Sequence, residues 1–446
     1  MFKAGTARIC ISPGADPEEV KTYRNPPPAG FYHDVFVKAL ALRNDNGSPL
    51  VIVSMDIILL REDMLTRIRE GFKSKLGLEE HQVLLCVSHT HSGPMREEPL
   101  KQFGLTVDEY RQIVVERTIS VIEQALNNMT PARAYFGRGI LRISINRRWR
   151  NPNGYPVWRG NPYGEVDPEL GVLRVDSEDG SIKAVLMNYA CHASAIGTSL
   201  IGNDYPGFAQ EIIENRYPGS TALFAQGCAA EIKPYNVNPN FKFMYGVPPA
   251  VVAGIGWEMA KETTRVIEAT PMDEITGDIN TERVVIELPL EDPPSSEEEI
   301  RNVKSLGGEE EAERQWKEFM LSKLKDGTIN DLPRSRPYEM GFVRIGERFR
   351  LVALQGEPCV RIGLRLKEQI TPNTAEISTD ARNIRNVMVF GYTNHPDKVV
   401  GYIPSRDVSA AGGYEAESFL IYKWSGPYKP EIEDIIVQTA IEHLAK

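Results

Sequence analysis

Two histidines separated by one residue stand near position 90, directly after an apolar run. The run at 82–87, QVLLCV, predicts a buried strand, and SHTHSGP follows it with His89 and His91. If the chain stays extended there, alternate side chains share one side, so both imidazoles point the same way. Neutral imidazole is a preferred zinc ligand, and the motif therefore indicates part of a zinc site, with a purely structural role for both rings as the alternative.

A third histidine, His192, follows the apolar run AVLMNY at 184–189. The chain has only seven histidines, so three of them at the ends of predicted strands favour a shared site. The neighbouring Cys191 is a rival ligand, but in a strand its side chain points away from that of His192. His81 and His443 are expected at hydrogen-bonded or surface positions. The same is expected for His33 and His395, with a place in the pocket as the alternative.

Strand-like and helix-like segments alternate around these motifs. Apolar runs rich in β-branched residues predict buried strands at 49–55, 82–87, 184–189 and 221–225. Helical spacing and capping residues predict helices at 64–76, 106–125, 249–267 and 432–439. The mixture predicts an α/β fold, a large catalytic body of mixed β-sheets flanked by helices. Active sites of open α/β sheets gather beyond the carboxyl ends of strands, where the three histidines stand.

Several motifs follow one another in an order that is recognisable: SHTHSGP, NYACHASAIG, NDYPGFA and LFAQGCAAEIKP. This series resembles the catalytic domain of the neutral and alkaline, non-lysosomal ceramidases. AGTARICISP near the start and GYIPSRDVSAAGGYEAES near the end are similar to further motifs of that family. The resemblance extends over nearly the whole chain at low density, and it implies a ceramidase-like fold and hydrolysis of an acyl bond.

The resemblance also implies a set of metal ligands. In the family, two histidines, a glutamate and a tyrosine hold zinc, and by motif these fall on His89, His192, Glu357 in LQGEPCV and Tyr402 in VVGYIPS. Two imidazoles, a carboxylate and a phenolate around one Zn²⁺ leave room for water or a substrate carbonyl. Without the resemblance, neither Glu357 nor Tyr402 would be singled out.

Three further residues match the groups of the family that face the substrate: His91, Arg147 and Tyr414. An imidazole, a guanidinium and a phenol can donate to the oxyanion that forms when water attacks an acyl carbon. Asp204 is a candidate to orient a histidine, and Asp56 ends a predicted strand. Structural hydrogen bonding is the expected alternative for both aspartates.

Lys233 marks a departure from the family. Relatives carry GDVSPN after the QGCA element, whereas this chain reads AEIKPY, with Lys233 at the serine position. A serine nucleophile is therefore excluded there, and zinc-activated water becomes the natural nucleophile. Lys233 can bind a carboxylate or phosphate of the substrate, act as a general acid if burial lowers its pKa, or remain a solvated loop lysine. Arg148 and Trp149 would add to a polar, basic pocket.

One ceramidase-like catalytic domain is predicted over residues 1–446, with a soft subdivision near 275 and without the C-terminal β-sandwich of the family. The segment 291–335 is highly charged and nearly free of apolar clusters. It predicts an exposed helical excursion, with a lid over the site as the alternative.

Composition excludes several other classes of function. The net charge of −10 argues against nonspecific binding to nucleic acid. The five cysteines are scattered and form no CxxC pair, which predicts buried thiols rather than disulfides. No transmembrane segment and no signal peptide are recognised, so a cytoplasmic location is expected, or a secreted one if the chain is a mature form. The expected partner is a small acylated molecule, and a homo-oligomer stays open.

These observations predict a zinc-dependent amidohydrolase that cleaves an N-acyl bond with zinc-activated water, on a polar or anionic substrate rather than ceramide. A zinc-dependent esterase, lactonase or phosphoesterase would use the same water. A catalytically silent homologue that only binds a ligand is the third alternative, although all four implied metal ligands are present.

Overall fold

The strands of the chain are taken from a computed structural model, which describes residues 2–44, 47–197, 199–370, 386–396 and 399–444. They are β1 Phe2–Cys10, β2 Phe36–Asn44, β3 Leu50–Met55, β4 Val83–Val87, β5 Thr130–Ile140, β6 Ser144–Arg150, β7 Pro156–Asn161, β8 Glu169–Ser177, β9 Ile182–Tyr189, β10 Thr221–Gln226, β11 Ile232–Pro234, β12 Asp273–Ile275, β13 Ile279–Pro289, β14 Ser335–Ile345, β15 Phe349–Leu354, β16 Glu357–Pro358, β17 Asn386–Phe390 and β18 Tyr402–Ile403.

The α-helices of the described residues alternate with these strands. They are α1 Glu62–Leu76, α2 Glu97–Lys101, α3 Val107–Asn127, α4 Asp204–Arg216, α5 Pro249–Ala269, α6 Glu297–Asn302, α7 Glu310–Lys325, α8 Val360–Ile370, α9 Arg406–Ala411, α10 Ser418–Tyr422 and α11 Ile432–Leu444. Short 3₁₀ turns lie at Glu80–Gln82, Ile329–Asp331 and Tyr414–Ala416. The predicted α/β fold with mixed sheets is confirmed.

The large sheet runs in the order β10-β9-β8-β5-β1-β2-β3-β4, and β12 pairs with β5. The pairs β3/β4 and β9/β10 are parallel, whereas the strands between them are antiparallel. All four predicted apolar runs are strands of this sheet. The sheet is buried on both faces, which explains why these strands are apolar throughout rather than alternating.

The two largest sheets are the inner layers of a four-layer arrangement. Helices α1, α3, α4 and α5 cover one face of the large sheet, for example through Ile68, Val114 and Met259. Its other face packs on the sheet β13-β14-β15-β17, where Leu186 and Met388 share one apolar cluster. Helices α7, α8 and α11 cover the far face of that second sheet. The layers are therefore helix, sheet, sheet and helix.

Local sequence signals account for the ends of the helices next to the large sheet. Thr106 caps α3 by accepting from the Glu109 N–H, and the Glu109 carboxylate accepts in return from the Thr106 N–H, as a capping box predicts. Pro249 opens α5, as predicted. Gly77 ends α1 in the left-handed conformation that glycine adopts without strain.

The charged segment 291–335 is more firmly attached than its composition predicts. The outer side of α7 carries exposed ion pairs, but Trp316 and Met320, four residues apart, are buried on its inner side. The Trp316 indole N–H also donates to the Trp424 carbonyl oxygen at 2.8 Å. The segment is thus helical with an exposed outer side, and two large side chains at helical spacing dock the helix on the body.

The chain passes from the large sheet to the second sheet between Ile275 and Ile279, close to the predicted subdivision. The extent of the catalytic domain stays a prediction. In the described residues, no helix is long and apolar enough to cross a membrane. All five cysteines are free and buried, as predicted.

Candidate metal centre

Strands from both large sheets end at one place and deliver the candidate residues there. Strand β4 precedes His89, β9 precedes His192, β15 precedes Glu357 and β17 precedes Tyr392. The imidazole centroids of His89 and His192 are 5.0 Å apart, and the Tyr392 ring lies 4.8 Å from that of His89. The three predicted histidines therefore meet beyond the carboxyl ends of strands, as expected for an α/β sheet.

The route by which His89 and His91 converge differs from the prediction. His89 has φ of 57°, in the left-handed region, so the strand ends at Val87 and no simple alternation continues. The His91 N–H donates to the Ala193 carbonyl oxygen at 3.0 Å, which joins the two histidine-bearing loops. The rings of His89 and His91 are still 5.0 Å apart, because the turn rather than the pleat brings them together.

The hydrogen bonds of the two buried imidazoles fix which nitrogen is free. His89 Nδ1 lies 2.6 Å from the Ile58 carbonyl oxygen, and His192 Nδ1 lies 2.7 Å from that of Ala229. A carbonyl oxygen can only accept, so each Nδ1 carries its proton and donates. In the neutral imidazole, each Nε2 is then left with a lone pair, which is the arrangement of a histidine ready to bind a metal.

The carboxylate of Glu357 faces both of these lone pairs. Its Oε2 atom lies 3.4 Å from His89 Nε2 and 3.3 Å from His192 Nε2. Within the described residues, neither Glu357 Oε2 nor His192 Nε2 has a hydrogen-bond partner. Three buried electron-pair donors that point at one another repel unless a cation lies among them, so this donor set fits a zinc ion.

The protonation states support this description. Burial, followed by the charge of Arg147, lowers the pKa of His192 to about 4, so its imidazole is neutral at pH 7. Burial alone would raise the pKa of Glu357, but the nearby imidazoles of His89 and His192 outweigh it, and the pKa lies below its usual value. Glu357 is therefore an anion, and the His192 ring offers it no proton at neutral pH.

Tyr402, the fourth implied ligand, is held beside Glu357 by a short strand pair. Strands β16 and β18 are parallel, and Glu357 and Tyr402 are direct partners in their register. Tyr402 is buried, and its ring lies 5.1 Å from that of Tyr414. Burial, together with the charge of Glu357, raises the pKa of Tyr402, which keeps the phenol protonated unless a cation stabilises the phenolate. The structure thus brings all four implied ligands together.

His91 occupies the open side of the cluster. Its ring nitrogens lie within 4.8 Å of those of His89 and His192, so it is also a candidate ligand. Unlike those two rings, His91 is exposed. Surrounding protein, together with the neighbouring His89 and His192, nevertheless lowers its pKa. The exposure suits the predicted role of a group that faces the substrate.

Arg147 is buried, and only some of its N–H donors have hydrogen-bond partners among the described residues. Its Nε donates to Glu415 Oε1 at 2.8 Å, and its Cζ lies 5.6 Å from the centroid of the Tyr402 ring and 5.5 Å from that of Tyr414. Arg147 Nη2 has no partner among the described residues. The Nη2 amino group is therefore available to donate to an oxyanion.

Lys233 is buried rather than solvated on a loop, which excludes one of its three predicted roles. Its Nζ donates to Ser194 Oγ at 2.9 Å and lies over the rings of Trp158, Phe243 and Tyr245. Burial, followed by the charge of Arg147, lowers the pKa of Lys233 to about 8. The ammonium is therefore still mostly charged at neutral pH.

Residues that the sequence left unmarked complete the surroundings of the site. Glu415 accepts from both Arg147 and Arg148 and is fully enclosed. Tyr392 has φ of 52°, a positive value that is uncommon for a bulky residue. His395 is buried with Nδ1 unpartnered among the described residues, and burial lowers its pKa to about 4. A surface position for His395 is therefore wrong because the ring is buried, and a place in the pocket stays a prediction.

The other marked residues have structural roles. His33 bonds Asn203 and Glu211, His81 bonds Thr281, and His443 stacks on Phe342, as expected for hydrogen-bonded or surface rings. The Asp204 carboxylate accepts from the N–H groups of Ala195, Ile196 and Tyr205 rather than from a histidine, which corrects the orienting role.

Asp56, Arg148 and Trp149 each have a different role in the structure. Asp56 accepts from the Phe36 N–H and from Asn203, which confirms structural hydrogen bonding. Arg148 lines a polar cavity of about 230 Å³ together with Glu231, Asn146 and Arg361. Trp149 stacks on Phe241 instead of joining that cavity.

Comparison with known proteins relates the chain to the neutral ceramidases. Residues 26–245 match the family described as neutral/alkaline non-lysosomal ceramidase, N-terminal. The neutral ceramidase of Pseudomonas aeruginosa is 23% identical over 89% of this chain and 65% of its own length. The neutral ceramidase of Mycobacterium tuberculosis is 22% identical over 89% of this chain and 70% of its own length. The chain therefore spans somewhat less than two thirds of the first of these relatives.

The solved structures lead to the same fold. The crystal structure of the Pseudomonas aeruginosa neutral ceramidase superimposes with a TM-score of 0.69 at 20% identity, over 99% of this chain and 74% of that one. A structure described as ceramidase complexed with C2 gives a TM-score of 0.68 at 18% identity. Together with the family match over residues 26–245, these results show that the chain resembles the neutral/alkaline non-lysosomal ceramidases in sequence and shares their fold.

Proposed function

We propose that the chain is a zinc-dependent hydrolase that cleaves an amide bond of an N-acylated substrate. The carrying observation is that His89 Nε2 and His192 Nε2 each lie within 3.4 Å of Glu357 Oε2, with no proton available between His192 and Glu357 at neutral pH. The relatives are named neutral ceramidases, and ceramide is an N-acylated amine. Both points support an amidohydrolase rather than a protein that only binds a ligand.

The proposed ligands are His89, His192, Glu357 and Tyr402. The two carbonyl acceptors behind the imidazoles hold each ring with its Nε2 lone pair directed inward. When bound, zinc supplies Lewis-acid polarisation of the amide carbonyl and acidification of water. The pairing of Glu357 with Tyr402 in adjacent strands gives both oxygen ligands a rigid backbone support.

The remaining groups act on the substrate. The free Nη2 of Arg147 and the Tyr414 phenol donate to the oxyanion that develops as the amide carbon becomes tetrahedral. His91, on the exposed side, donates to the same oxygen or to the departing amine. The Glu415 carboxylate fixes the Arg147 guanidinium through Nε and leaves the Nη2 amino group free. A polar or anionic substrate is proposed, because Lys233 adds a buried ammonium next to these groups.

The first test is the metal content of the purified protein, measured by elemental mass spectrometry. About one zinc per chain is expected, and the His89→Ala/His192→Ala double variant should lose it. The matched control is His81→Ala, since His81 bonds Thr281 away from the cluster and should leave the zinc in place. No zinc in the wild type after zinc is supplied would contradict the proposal.

A panel of substrates separates the proposed activity from its rivals. Short N-acyl amines, ceramide, esters, lactones and phosphoesters should be compared at one pH, with turnover highest for a polar amide. Faster hydrolysis of an ester, lactone or phosphoester would move the function to that class. Zinc binding without turnover of any compound would favour the silent binding homologue.

A further inference from the structure

Lys233 carries a buried charge that no carboxylate of the described residues contacts directly. The side chain is 6% exposed, and its Nζ donates to Ser194 Oγ at 2.9 Å and to the Ser194 carbonyl oxygen at 3.4 Å. No described carboxylate lies at bonding distance from it: the charge of Asp204 acts on Lys233, but the Asp204 oxygens accept from three backbone N–H groups instead. An ammonium has three donors, so at least one is left over, and a buried cation without a counter-ion is costly.

Two other inward-facing lysines differ from Lys233 because each has a carboxylate at bonding distance. Lys38 Nζ lies 2.9 Å from Glu214, and Lys367 Nζ lies 2.7 Å from Asp167. In both cases the fold supplies a carboxylate at bonding distance. At Lys233 it supplies only a serine, which indicates that the counter-ion of this ammonium comes from outside the chain.

Aromatic rings form a cup around this ammonium. The centroids of Trp158, Phe243 and Tyr245 lie 5.7, 5.4 and 5.8 Å from Lys233 Nζ, and these three rings are called the aromatic cup. The Trp158 indole N–H donates to the Tyr245 hydroxyl at 3.0 Å, which fixes two of its walls. Their ring faces stabilise the cation only partly. Trp158 is 44% and Tyr245 is 61% exposed, so a ligand can enter from solvent.

The aromatic cup adjoins the candidate metal centre. Arg147 lies on strand β6, and its Cζ is 4.2 Å from the centroid of the Trp158 ring. Strand β6 pairs with β11, the strand of Lys233. Ser194, the partner of Lys233, follows His192 by two residues. A small molecule whose acyl group reaches the histidines can therefore also reach Lys233.

We infer that Lys233 determines specificity by binding a carboxylate of the substrate in the aromatic cup, so that the substrate class is an N-acylated compound with a free carboxylate, such as an N-acyl amino acid. This inference rests on the proposed function for the bond that is cleaved. One uncompensated ammonium matches one negative charge, which favours a carboxylate over a phosphate of nearly two charges. The lysine is charged at neutral pH, as this requires.

The test compares ligands that differ only in this charge. N-methylsulfonylglycine has no amide bond to cleave, and its carboxamide is confirmed to be intact after each titration, so the dissociation constants of both can be measured by calorimetry on the full chain as purified. The carboxylate is expected to bind about tenfold or more tightly than the carboxamide, as loss of a charge-assisted hydrogen bond predicts. Lys233→Gln should abolish that preference.

A matched control and a second variant keep the outcome decisive. Lys242 is an exposed lysine next to Phe243, and Lys242→Gln should keep the preference of the wild type. Lys233→Met serves if the glutamine variant does not fold. Equal binding of both ligands to the wild type, or a preference that persists in Lys233→Gln, would overturn the inference. Tighter, Lys233-dependent binding of inorganic phosphate would overturn the choice of carboxylate.

The two proposals fail in different ways. Binding in this experiment needs no turnover, so absence of hydrolysis contradicts the proposed function and leaves the carboxylate preference intact. Hydrolysis of neutral amides at the same rate as that of their carboxylate analogues would keep the hydrolase and remove the role of Lys233.

Discussion

His192 Nε2 lies 3.3 Å from Glu357 Oε2, although at neutral pH neither atom carries a proton for the other. The proton of the imidazole is on Nδ1, where the Ala229 carbonyl oxygen accepts it at 2.7 Å. Two acceptors are thus pressed together in a buried place, and the backbone rather than their mutual attraction holds them there. Such an arrangement costs stability without a cation and is suited to binding one.

The first prediction is that Glu357→Gln changes stability in opposite directions with and without metal. In protein freed of metal by a chelator, the amide NH₂ can donate to His89 Nε2 and His192 Nε2, so the melting temperature should rise by about 1 °C, as about 1 kcal/mol of new hydrogen bonding implies for a chain of this length. With zinc added, the variant should gain far less stability than the wild type, because it has lost an anionic ligand.

Thermal unfolding with and without zinc measures both effects. Glu298→Gln, at the exposed start of α6, is the control and should respond to zinc like the wild type. A metal-free Glu357→Gln variant that is less stable than the metal-free wild type would show that the carboxylate is not facing lone pairs.

The positions of His89 and His192 at strand ends could be predicted from the sequence because the signal for a strand end is local. An apolar run followed by a polar loop predicts both a buried strand and the place where it ends, and His89 and His192 stand at such ends. The left-handed turn at His89 was not predictable, since no glycine or asparagine occupies the position. The prediction therefore gave the right neighbours with the wrong local geometry.

No local sequence pattern identifies Glu357 and Tyr402 as site residues. They lie in the two-residue strands β16 and β18, too short to produce a periodic pattern, and they pair across 45 positions of the chain. Only the resemblance to a family marked them. The burial of Lys233 was likewise not predictable from local signals. It depends on Ser194, on the Trp158 ring of β7 and on the Phe243 ring in the loop after β11.

The second prediction concerns the pH dependence of stability through Glu231. Burial, followed by the negative charge of Glu415, raises its pKa from its ordinary value to about 7. The folded state thus holds a proton that the unfolded state has lost above about pH 4.5. The stability contributed by this proton is complete below pH 4.5 and is lost as the pH rises through 7.

Glu231→Gln, which cannot ionise, should therefore match the wild type near pH 4.5 and exceed its stability at pH 8 by up to about 3 kcal/mol. The Val360 N–H, 3.1 Å from Glu231, can still donate to the amide oxygen. Urea unfolding of both proteins at pH 5 and pH 8 measures the difference. A difference that is the same at both pH values would mean that Glu231 ionises normally in the folded protein.

The third prediction concerns the buried ion pair between Lys38 and Glu214. Lys38 Nζ donates to Glu214 at 2.9 Å and to the Tyr23 hydroxyl at 2.9 Å, and both charged groups are buried. Glu214→Ala leaves the ammonium without its counter-ion, so the free energy of unfolding should fall by about 3–5 kcal/mol.

Glu268 provides the exposed counterpart for this comparison. It pairs with Arg216 at 2.7 Å, but both side chains are more than two-fifths exposed, and Glu268→Ala should cost about 0–1 kcal/mol. Urea unfolding at neutral pH gives both values. Losses of similar size in the two variants would show that burial does not set the strength of the Lys38 pair.

The last prediction concerns the attachment of the charged segment 291–335 to Tyr414. The Glu417 carboxylate accepts from Ser305 Oγ at 2.6 Å and from the N–H groups of Leu306 and Gly307 at 2.7 and 3.0 Å. Gly307 also lies against the backbone of Tyr414, where a Cβ would come within 2.6 Å of its nitrogen. The loop thus supports the backbone of a proposed oxyanion donor.

Glu417→Ala should release this loop without unfolding α7, which stays docked through Trp316. Hydrogen exchange at Leu306 and Gly307 should quicken about tenfold or more, since each amide loses a charged acceptor. If Tyr414 donates to the oxyanion, kcat and kcat/KM should fall together, by less than the roughly 100-fold loss that follows removal of a donor itself. Glu298→Ala, exposed in the same segment, should change neither quantity. Faster exchange with unchanged kcat would separate the loop from catalysis, because it would show that Tyr414 keeps its place without the contact of Glu417.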